Sequence, residues 1–485
     1  MIQYVSTRGG MPPVNFDEAV LRGFASDGGL FVPETIPKIT PEQLRSWATL
    51  SYSELAFELL SLFIDGSIIP PADLKKLLND SYSQFESPNV IEVVPLGDNS
   101  HTFIMELFHG PTLSFKDVAM GFLINVLDYL LEKRDEHLSI VLATTGDTGP
   151  AAAWASAGKK TIDCWPLYPR GMITEEQERQ MTTLNADNVH PVGVENCADG
   201  GDDLDFVVAK LFEDKALKKE LNLSSVNSIN WCRVMVQAVH YFYGYYRSVD
   251  RIGDEVCFSV PSGAFGNLFG GYLARSMGLP VNKFICANNA NHALHTVLST
   301  GVLEKKDLVQ TLSSAIDIVV PYNFWRFLYF SSGCDSDKLK SWMDEFQTSG
   351  RVELDKETLS TIQNGFTSIS ITDSETRACI KDTFIECDGY LLDPHSAVAV
   401  VAANKLNDKL PNQMKIVCLA TAHPAKFPEI IRMCLELESE LPAQGEHVSL
   451  QRASKVCQHL RLCDLDNLQF ALIDAMKTHQ ASQID

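Results

Sequence analysis

The chain contains no run of about 18 consecutive apolar residues, the length a membrane-spanning helix needs. It has no internal repeat and no low-complexity tract, which excludes a solenoid or a disordered linker protein. Its twelve cysteines include no C-x-x-C pair. Several, such as Cys257, Cys286 and Cys418, lie inside apolar runs. Small core hydrophobes in a reducing compartment fit this usage better than a disulfide frame or a zinc site, and no metal site is expected. Positive charge is scarce as well: 40 Lys and Arg face 62 Asp and Glu, for a net charge of −22. That balance argues against nucleic acid as a partner. Any anionic ligand must then be held by a few local cations and helix N-termini, against the field of the whole molecule. The first residues carry neither a secretory apolar stretch nor an Arg-rich presequence, so a cytoplasmic protein without membrane association is expected.

What is present is a large, ordinary globular composition. The 485 residues are 45% hydrophobic and 21% charged, enough for a sizeable core in two or three domains. Residues 1–95 show no βαβ rhythm. Helical patterns at 41–63 and 72–84 follow a turn and short strand at Asp27–Pro33, and we read an N-terminal cap domain. From 96 to 295 apolar strands alternate with Gly-rich turns and helices, and the rhythm resumes over 386–430. These stretches predict an α/β core in two subdomains, with mostly parallel sheets flanked by helices. Residues 296–385 read as a mostly helical insertion, and 431–485 as a C-terminal helical segment with a fraying end.

The segment Phe108-His109-Gly110-Pro111-Thr112-Leu113-Ser114-Phe115-Lys116-Asp117 sets a lysine at the mouth of a helix. The apolar residues from Val118 to Leu131 recur at helical spacing behind it. A lysine pressed against apolar surroundings can act as a nucleophilic amine, as Schiff-base chemistry requires. Locally the pattern also suits a snorkelling lysine at the start of a core helix. Four more segments mark strand ends or helix entries: Ala143–Gly149, Asn227–Arg233, Pro261–Asn267 and Thr421–Phe427. The loop Pro261-Ser262-Gly263-Ala264-Phe265-Gly266-Asn267 would present backbone N–H groups at a helix N-terminus, a phosphate site in many α/β folds. Each such turn alone is equally ordinary punctuation between strand and helix.

In order and spacing, from Tyr4-Val5-Ser6-Thr7-Arg8-Gly9 to about Glu429, these segments resemble the threonine synthase family. The resemblance implies a pyridoxal 5′-phosphate enzyme of fold type II. It further implies that Lys116 carries the cofactor as a Schiff base and acts as the catalytic base. Gly263, Ala264, Phe265, Gly266 and Asn267 would hold the cofactor phosphate, and Thr421 would face the pyridine nitrogen. Asp147 would touch the cofactor, while Thr144, Thr145, Gly146 and Thr148 bind the substrate carboxylate. Asn227, Ser228 and Arg233 would bind the substrate phosphate. Gln237 lies one turn past Arg233 and reads equally as a polar core residue; His109 and His423 read as structural histidines. Asp393-Pro394-His395-Ser396-Ala397 matches the family without an assignable chemistry.

The implied reaction converts O-phosphohomoserine and water to threonine and phosphate, in a monomer or homodimer acting on a small phosphorylated amino acid. One departure stands out. The family's usual loop reads Gly-Asn-Phe-Gly-Asp, whereas this chain has Gly263-Ala264-Phe265-Gly266-Asn267. That variant, with Asp317–Asn323, resembles the threonine synthase-like phospho-lyases, which release 2-oxobutyrate and ammonia. Either product is compatible with the sequence, the second from O-phosphohomoserine or O-phosphothreonine; a non-catalytic binding or signalling protein on the same fold is a third reading, disfavoured because Lys116, the phosphate loop, Thr421 and Arg233 are all present.

Overall fold

The computed structural model describes residues 2–97, 101–198, 200–411 and 414–482. The extreme C-terminal residues 483–485, part of the expected fraying end, lie outside this range. The chain divides into two compact units, 1–119 with 228–446 and 120–227 with 447–485.

The first unit is built on a six-stranded sheet. Its strands run in the order Phe366–Ser370, Val281–Asn288, Val256–Pro261, Lys415–Ala420, Thr102–Glu106 and Glu92–Pro95. Every pair is parallel except the last, which is antiparallel. Val256–Pro261 and Ile416–Ala420 are apolar runs buried along almost their whole length. That fits strands covered on both faces rather than a half-exposed alternating pattern. The helix Pro394–Leu406 packs small residues, Ala397, Ala399 and Ala403, against Cys257, Ile285 and Cys418. All twelve cysteines are free thiols. Burial pushes Cys257 up to about 11 and Cys286 up to about 12, so both remain inert thiols.

The N-terminal residues of this unit add a two-stranded antiparallel ladder, Tyr4–Ser6 with Phe31–Pro33. The helical stretch expected over 41–63 is broken into Pro41–Ser46 and Tyr52–Leu60. A 3-10 turn, Trp47–Thr49, follows the first, and Ser51 starts the second, accepting from the Glu54 N–H while Glu54 reaches back to Ser51 in a capping box. The strand Phe366–Ser370 comes from the mostly helical stretch 296–385 and extends the main sheet at Val281–Asn288.

The second unit carries a five-stranded, wholly parallel sheet. The order is Arg461–Asp464, Val192–Glu195, Ile162–Pro169, Leu138–Ala143 and Leu223–Ser224. Val141, Leu167 and Val194 pack against Leu204 and Leu211 of the helix Gly201–Glu213. Leu468, Leu472 and Met476 of the helix Leu468–Ser482 join the same core. Residues 461–482 are thereby tied to this sheet by one strand and one helix. Among the described residues no helix is long and apolar enough to cross a membrane.

Candidate active site

Three neighbouring parallel strands of the first unit deliver their connections from the same edge. Val256–Pro261 leads into the glycine loop, Lys415–Ala420 into Thr421, and Thr102–Glu106 into the lysine segment. Ligands in open α/β sheets bind at this carboxyl edge. The lysine segment and the Thr421 turn are stitched together. The Phe115 N–H donates to the Thr421 carbonyl at 2.8 Å, Ser114 bridges Ala422, and the His423 N–H donates to the Leu113 carbonyl at 3.0 Å. Leu113 is buried and holds a left-handed backbone with φ 61°. A side chain kept in that region is strained, and the surrounding contacts must enforce it.

Lys116 opens the helix Lys116–Arg134, half-buried, with Nζ 4.7 Å from the centre of the Phe115 ring. Behind it Asp117 accepts the Thr112 N–H at 2.8 Å and the Thr112 hydroxyl at 2.6 Å. Lys426, fully buried, donates through Nζ to the Thr112 carbonyl at 2.9 Å. Burial pushes the Asp117 carboxyl up to about 6, while the Thr112 hydrogen bonds and the Lys426 charge resist that rise. Thr421 itself is buried, one pairing step from Lys116.

The glycine loop opens the twelve-residue helix Gly266–Met277. Phe265 is left-handed at φ 64°, its ring wedged against Phe324 and Phe327 at 5.2 and 5.1 Å. A Cβ on Gly263 would fall 3.0 Å from the Ile316 Cα, so backbone passes directly over that position. Gly266 faces a polar ring: a Cβ there would lie 3.2 Å from Asn323 Nδ2 and 3.4 Å from Ser228 Cβ. Ala264 accepts the Asn323 N–H at 3.1 Å. Asn267 Oδ1 accepts from His240 Nε2 at 2.9 Å and from the Tyr241 hydroxyl at 3.0 Å. The amide nitrogens Asn267 Nδ2 and Asn323 Nδ2 are buried and make no hydrogen bond.

Arg326 frames this loop from beneath. Fully buried, it donates to the carbonyls of Phe31 at 3.1 Å and Ser228 at 3.3 Å, to the Ile229 carbonyl, and to Asn323 Oδ1. Burial pushes this guanidinium down to about 9. A helix N-terminus, two orphaned amide donors and a buried guanidinium make a region with donors in excess. An anion with several oxygens fits it, as the phosphate of the cofactor would.

Arg233 lies in the helix Trp231–Ser248, which Asn230 caps by accepting the Cys232 N–H at 3.1 Å. It is 2% exposed, and burial pushes it down to about 10. Gln237 is buried with Oε1 unbonded. His109 pairs with Glu106 at 2.9 Å, and His423 Nδ1 accepts the Ala425 N–H at 3.1 Å.

In the second unit the turn after Leu138–Ala143 and the segment after Leu223–Ser224 leave adjacent parallel strands. These are the segments holding Thr144–Thr148 and Asn227. The Thr144 hydroxyl accepts from the N–H groups of Gly146 at 3.1 Å and Gly149 at 2.9 Å. Asp147 accepts from Gln177 Nε2 at 3.0 Å. Both side chains therefore shape the turn, while Thr145 and Thr148 are partly exposed and Gly146 is buried against Gln177. Asn227 is partly exposed, its N–H 3.4 Å from the Ser225 hydroxyl.

Sequence reasoning missed Asn323 and Arg326 as parts of the site. The available signal was a lone cation in an aromatic helix, Phe324-Trp325-Arg326-Phe327-Leu328-Tyr329. It also left Asp393–Ser396 without a role. Asp393 is fully buried and caps its helix, accepting the N–H groups of His395 at 2.9 Å and Ser396 at 3.2 Å. His395 donates from Nδ1 to Asp393 at 2.7 Å and accepts the Ala315 N–H at Nε2, 3.0 Å away. Ile316, next along, is the residue that roofs Gly263.

Residues 95–422 match the family described as pyridoxal-phosphate dependent enzyme, which sets the class of the fold and its carboxyl-edge site. Residues 3–82 match the threonine synthase N terminus, and 396–469 the threonine synthase C-terminal region. A threonine synthase of Pseudomonas aeruginosa is 40% identical over 430 residues, 89% of this chain and 90% of that protein. Human threonine synthase-like 2 is 39% identical over 469 residues, 95% of this chain and 94% of that protein. The crystal structure of a PLP-bound threonine synthase from Brucella melitensis superposes with a TM-score of 0.91 at 37% identity, covering 99% of both chains. The chain belongs to the threonine synthase family of pyridoxal-phosphate-dependent enzymes.

Proposed function

We propose that the protein is a threonine synthase, converting O-phosphohomoserine and water to threonine and inorganic phosphate. The observation that carries this reading is the stitched edge of the first sheet. There one lysine, one buried threonine and one donor-rich glycine loop leave three adjacent parallel strands. Pyridoxal phosphate, when bound, supplies an aldehyde for a lysine amine and a ring that draws electrons from the substrate α-carbon.

The chain's own residues do the rest. Lys116 would anchor the cofactor through its amine, and the same amine would serve as general base for the α-proton. Thr421 offers a neutral hydroxyl to the pyridine nitrogen, which draws electrons less strongly than a carboxylate partner would permit and favours elimination. The N–H groups of Gly263 to Asn267, with the free amides of Asn267 and Asn323, hold the cofactor phosphate. Arg233 supplies charge-assisted donors to the substrate phosphate, and Asn227 is assigned to the same phosphate. Ser228, bordering Gly266, adjoins the cofactor loop as well. Thr145, Gly146 and Thr148 receive the substrate carboxylate on a turn that Thr144 and Asp147 keep in shape.

The test is incubation of the purified, cofactor-loaded protein with O-phosphohomoserine, with threonine, 2-oxobutyrate and phosphate assayed separately. Threonine and phosphate in equal amounts are the expected result. Phosphate accompanied by 2-oxobutyrate would show instead a phospho-lyase.

A further inference from the structure

The second unit contains a cluster of metal-ligating side chains from outside the loops described above. Asp163, in the strand Ile162–Pro169, is 1% exposed. Its Oδ1 accepts from Nε2 of His479, on the helix Leu468–Ser482, at 3.1 Å. His137 Nε2 stands 3.5 Å from Oδ2, and that oxygen, though buried, makes no hydrogen bond. His190 completes the group, its ring centre 4.3 Å from that of His479. It is stacked on Trp165 at 4.1 Å, and Trp165 meets His479 edge-on at 6.0 Å. His190 Nε2 is buried and also makes no hydrogen bond. One donor atom from each of Asp163, His190 and His479 lies within 4.8 Å of the others.

A simple hydrogen-bonded latch accounts for the His479–Asp163 contact. It does not account for a carboxylate oxygen and an imidazole nitrogen buried beside it without a hydrogen bond, the oxygen having only the 3.5 Å approach of His137, since buried polar atoms are seldom left so. We propose that Asp163, His190 and His479 form a binding site for a divalent first-row transition-metal ion of the zinc class. Two imidazoles and one carboxylate are a common donor set for such ions, with water filling an open position. Tetrahedral bonds of the usual length set donors about 3.3 Å apart. The Asp163–His479 pair is already there at 3.1 Å. The ion would take the place of the direct contact between those two. Arg461 is exposed, and its repulsion of a cation is screened by solvent. His137 is placed to orient Asp163 through its other oxygen, as partners of metal ligands do. A strand, a loop and the C-terminal helix supply the donors, so no spacing motif announces the site in the sequence. Its effect would be to pin that helix to the sheet.

The experiment uses the full, cofactor-loaded chain, stripped of metal and titrated with Zn²⁺ against a chromogenic chelator. One ion per chain is expected, and His190→Gln and His479→Gln should each weaken it by more than about tenfold. Zn²⁺ should slow amide exchange in 468–482, and Co²⁺ should give a spectrum without a thiolate charge-transfer band. Melting of each metal-free variant checks its folding. If His190→Gln does not fold, His479→Gln on the partly exposed helix face decides. Failure to bind Zn²⁺, binding retained by a folded His479→Gln, or a sulfur band marking exposed Cys457 or Cys334 as the ligand would each overturn the proposal.

Discussion

The lysine segment and the glycine loop emerge from the same edge of one sheet, yet their polar groups are treated in opposite ways. Around Lys116 the bracing groups are paired: Asp117 holds both Thr112 donors, Lys426 holds the Thr112 carbonyl, and the Thr421 carbonyl holds Phe115. Around Gly266 the amides of Asn267 and Asn323 are buried with their N–H groups unused. Arg326 spends its donors on neutral oxygens. A paired region is scaffolding that presents one reactive amine. A region with spare donors is a receptor for an anion. The contrast separates residues that position chemistry from residues that bind, without reference to any relative.

The sharpest way to break this comparison is Asp117→Asn. It puts an NH2 group in place of one of the two carboxylate oxygens that accept from Thr112, leaving two buried donors without an acceptor, and a loss of about 2–5 kcal/mol in chemical denaturation is expected. A loss under about 1 kcal/mol would mean that the pair is not a brace. The variant also carries a pH signature. Asp117 is raised from 3.8 to about 6, so its favourable contribution is present below 3.8 and lost as pH rises through about 6. His240 is lowered from 6.5 to about 4 by burial, so its contribution is present above 6.5 and lost as pH falls through about 4. The two oppose each other between these limits. Asp117→Asn should therefore lose stability more steeply than the unmodified protein on acidification from 6.5 to 4, and His240→Gln less steeply.

Arg233→Ala tests the division between the two phosphates. Affinity for phosphorylated substrate should fall by about 2–4 kcal/mol, the scale for one partner lost from a desolvated charge pair. Cofactor content, read by absorbance, should be unchanged. Loss of cofactor with substrate affinity intact would move Arg233 to the other side of the comparison. Asn323→Ala removes one spare donor and should weaken cofactor retention by about 1 kcal/mol in equilibrium dialysis. Retention equal to that of the unmodified protein would show that the orphaned amide does not serve the phosphate. The smallest effect is expected at Ala264, which is partly exposed. Ala264→Asn should shift product toward threonine over any 2-oxobutyrate, with total phosphate release little changed. An unchanged ratio at full cofactor occupancy would remove this position from control of the outcome.

Much of this arrangement was legible in the chain. Buried parallel strands announce themselves as short apolar runs, and Leu138–Ala143, Val256–Pro261 and Lys415–Ala420 form where those runs predict. The turns at their carboxyl ends were equally visible, because Gly, Ser, Thr and Asn interrupt the apolar pattern there. What stayed hidden is long-range pairing. Nothing near Thr112 reveals that Lys426 will bond its carbonyl, and nothing near Ser228 reveals Arg326. The Asp393–His395 motif was visible, but its purpose was not, since it acts through Ala315 on the backbone that roofs Gly263. The break at Ser51 was missed for a local reason: an apolar rhythm continued across a capping serine.

The central claim is that Lys116 alone presents the reactive amine, while Lys426, buried and five residues past Thr421 in sequence, is scaffolding. It is tested most directly by reducing the pyridoxal-phosphate-loaded protein with borohydride, digesting it and locating the modified lysine by mass spectrometry. The account predicts a single pyridoxyl adduct on Lys116, absent from Lys116→Ala. An adduct on Lys426, or labelling that survives the loss of Lys116, would contradict it.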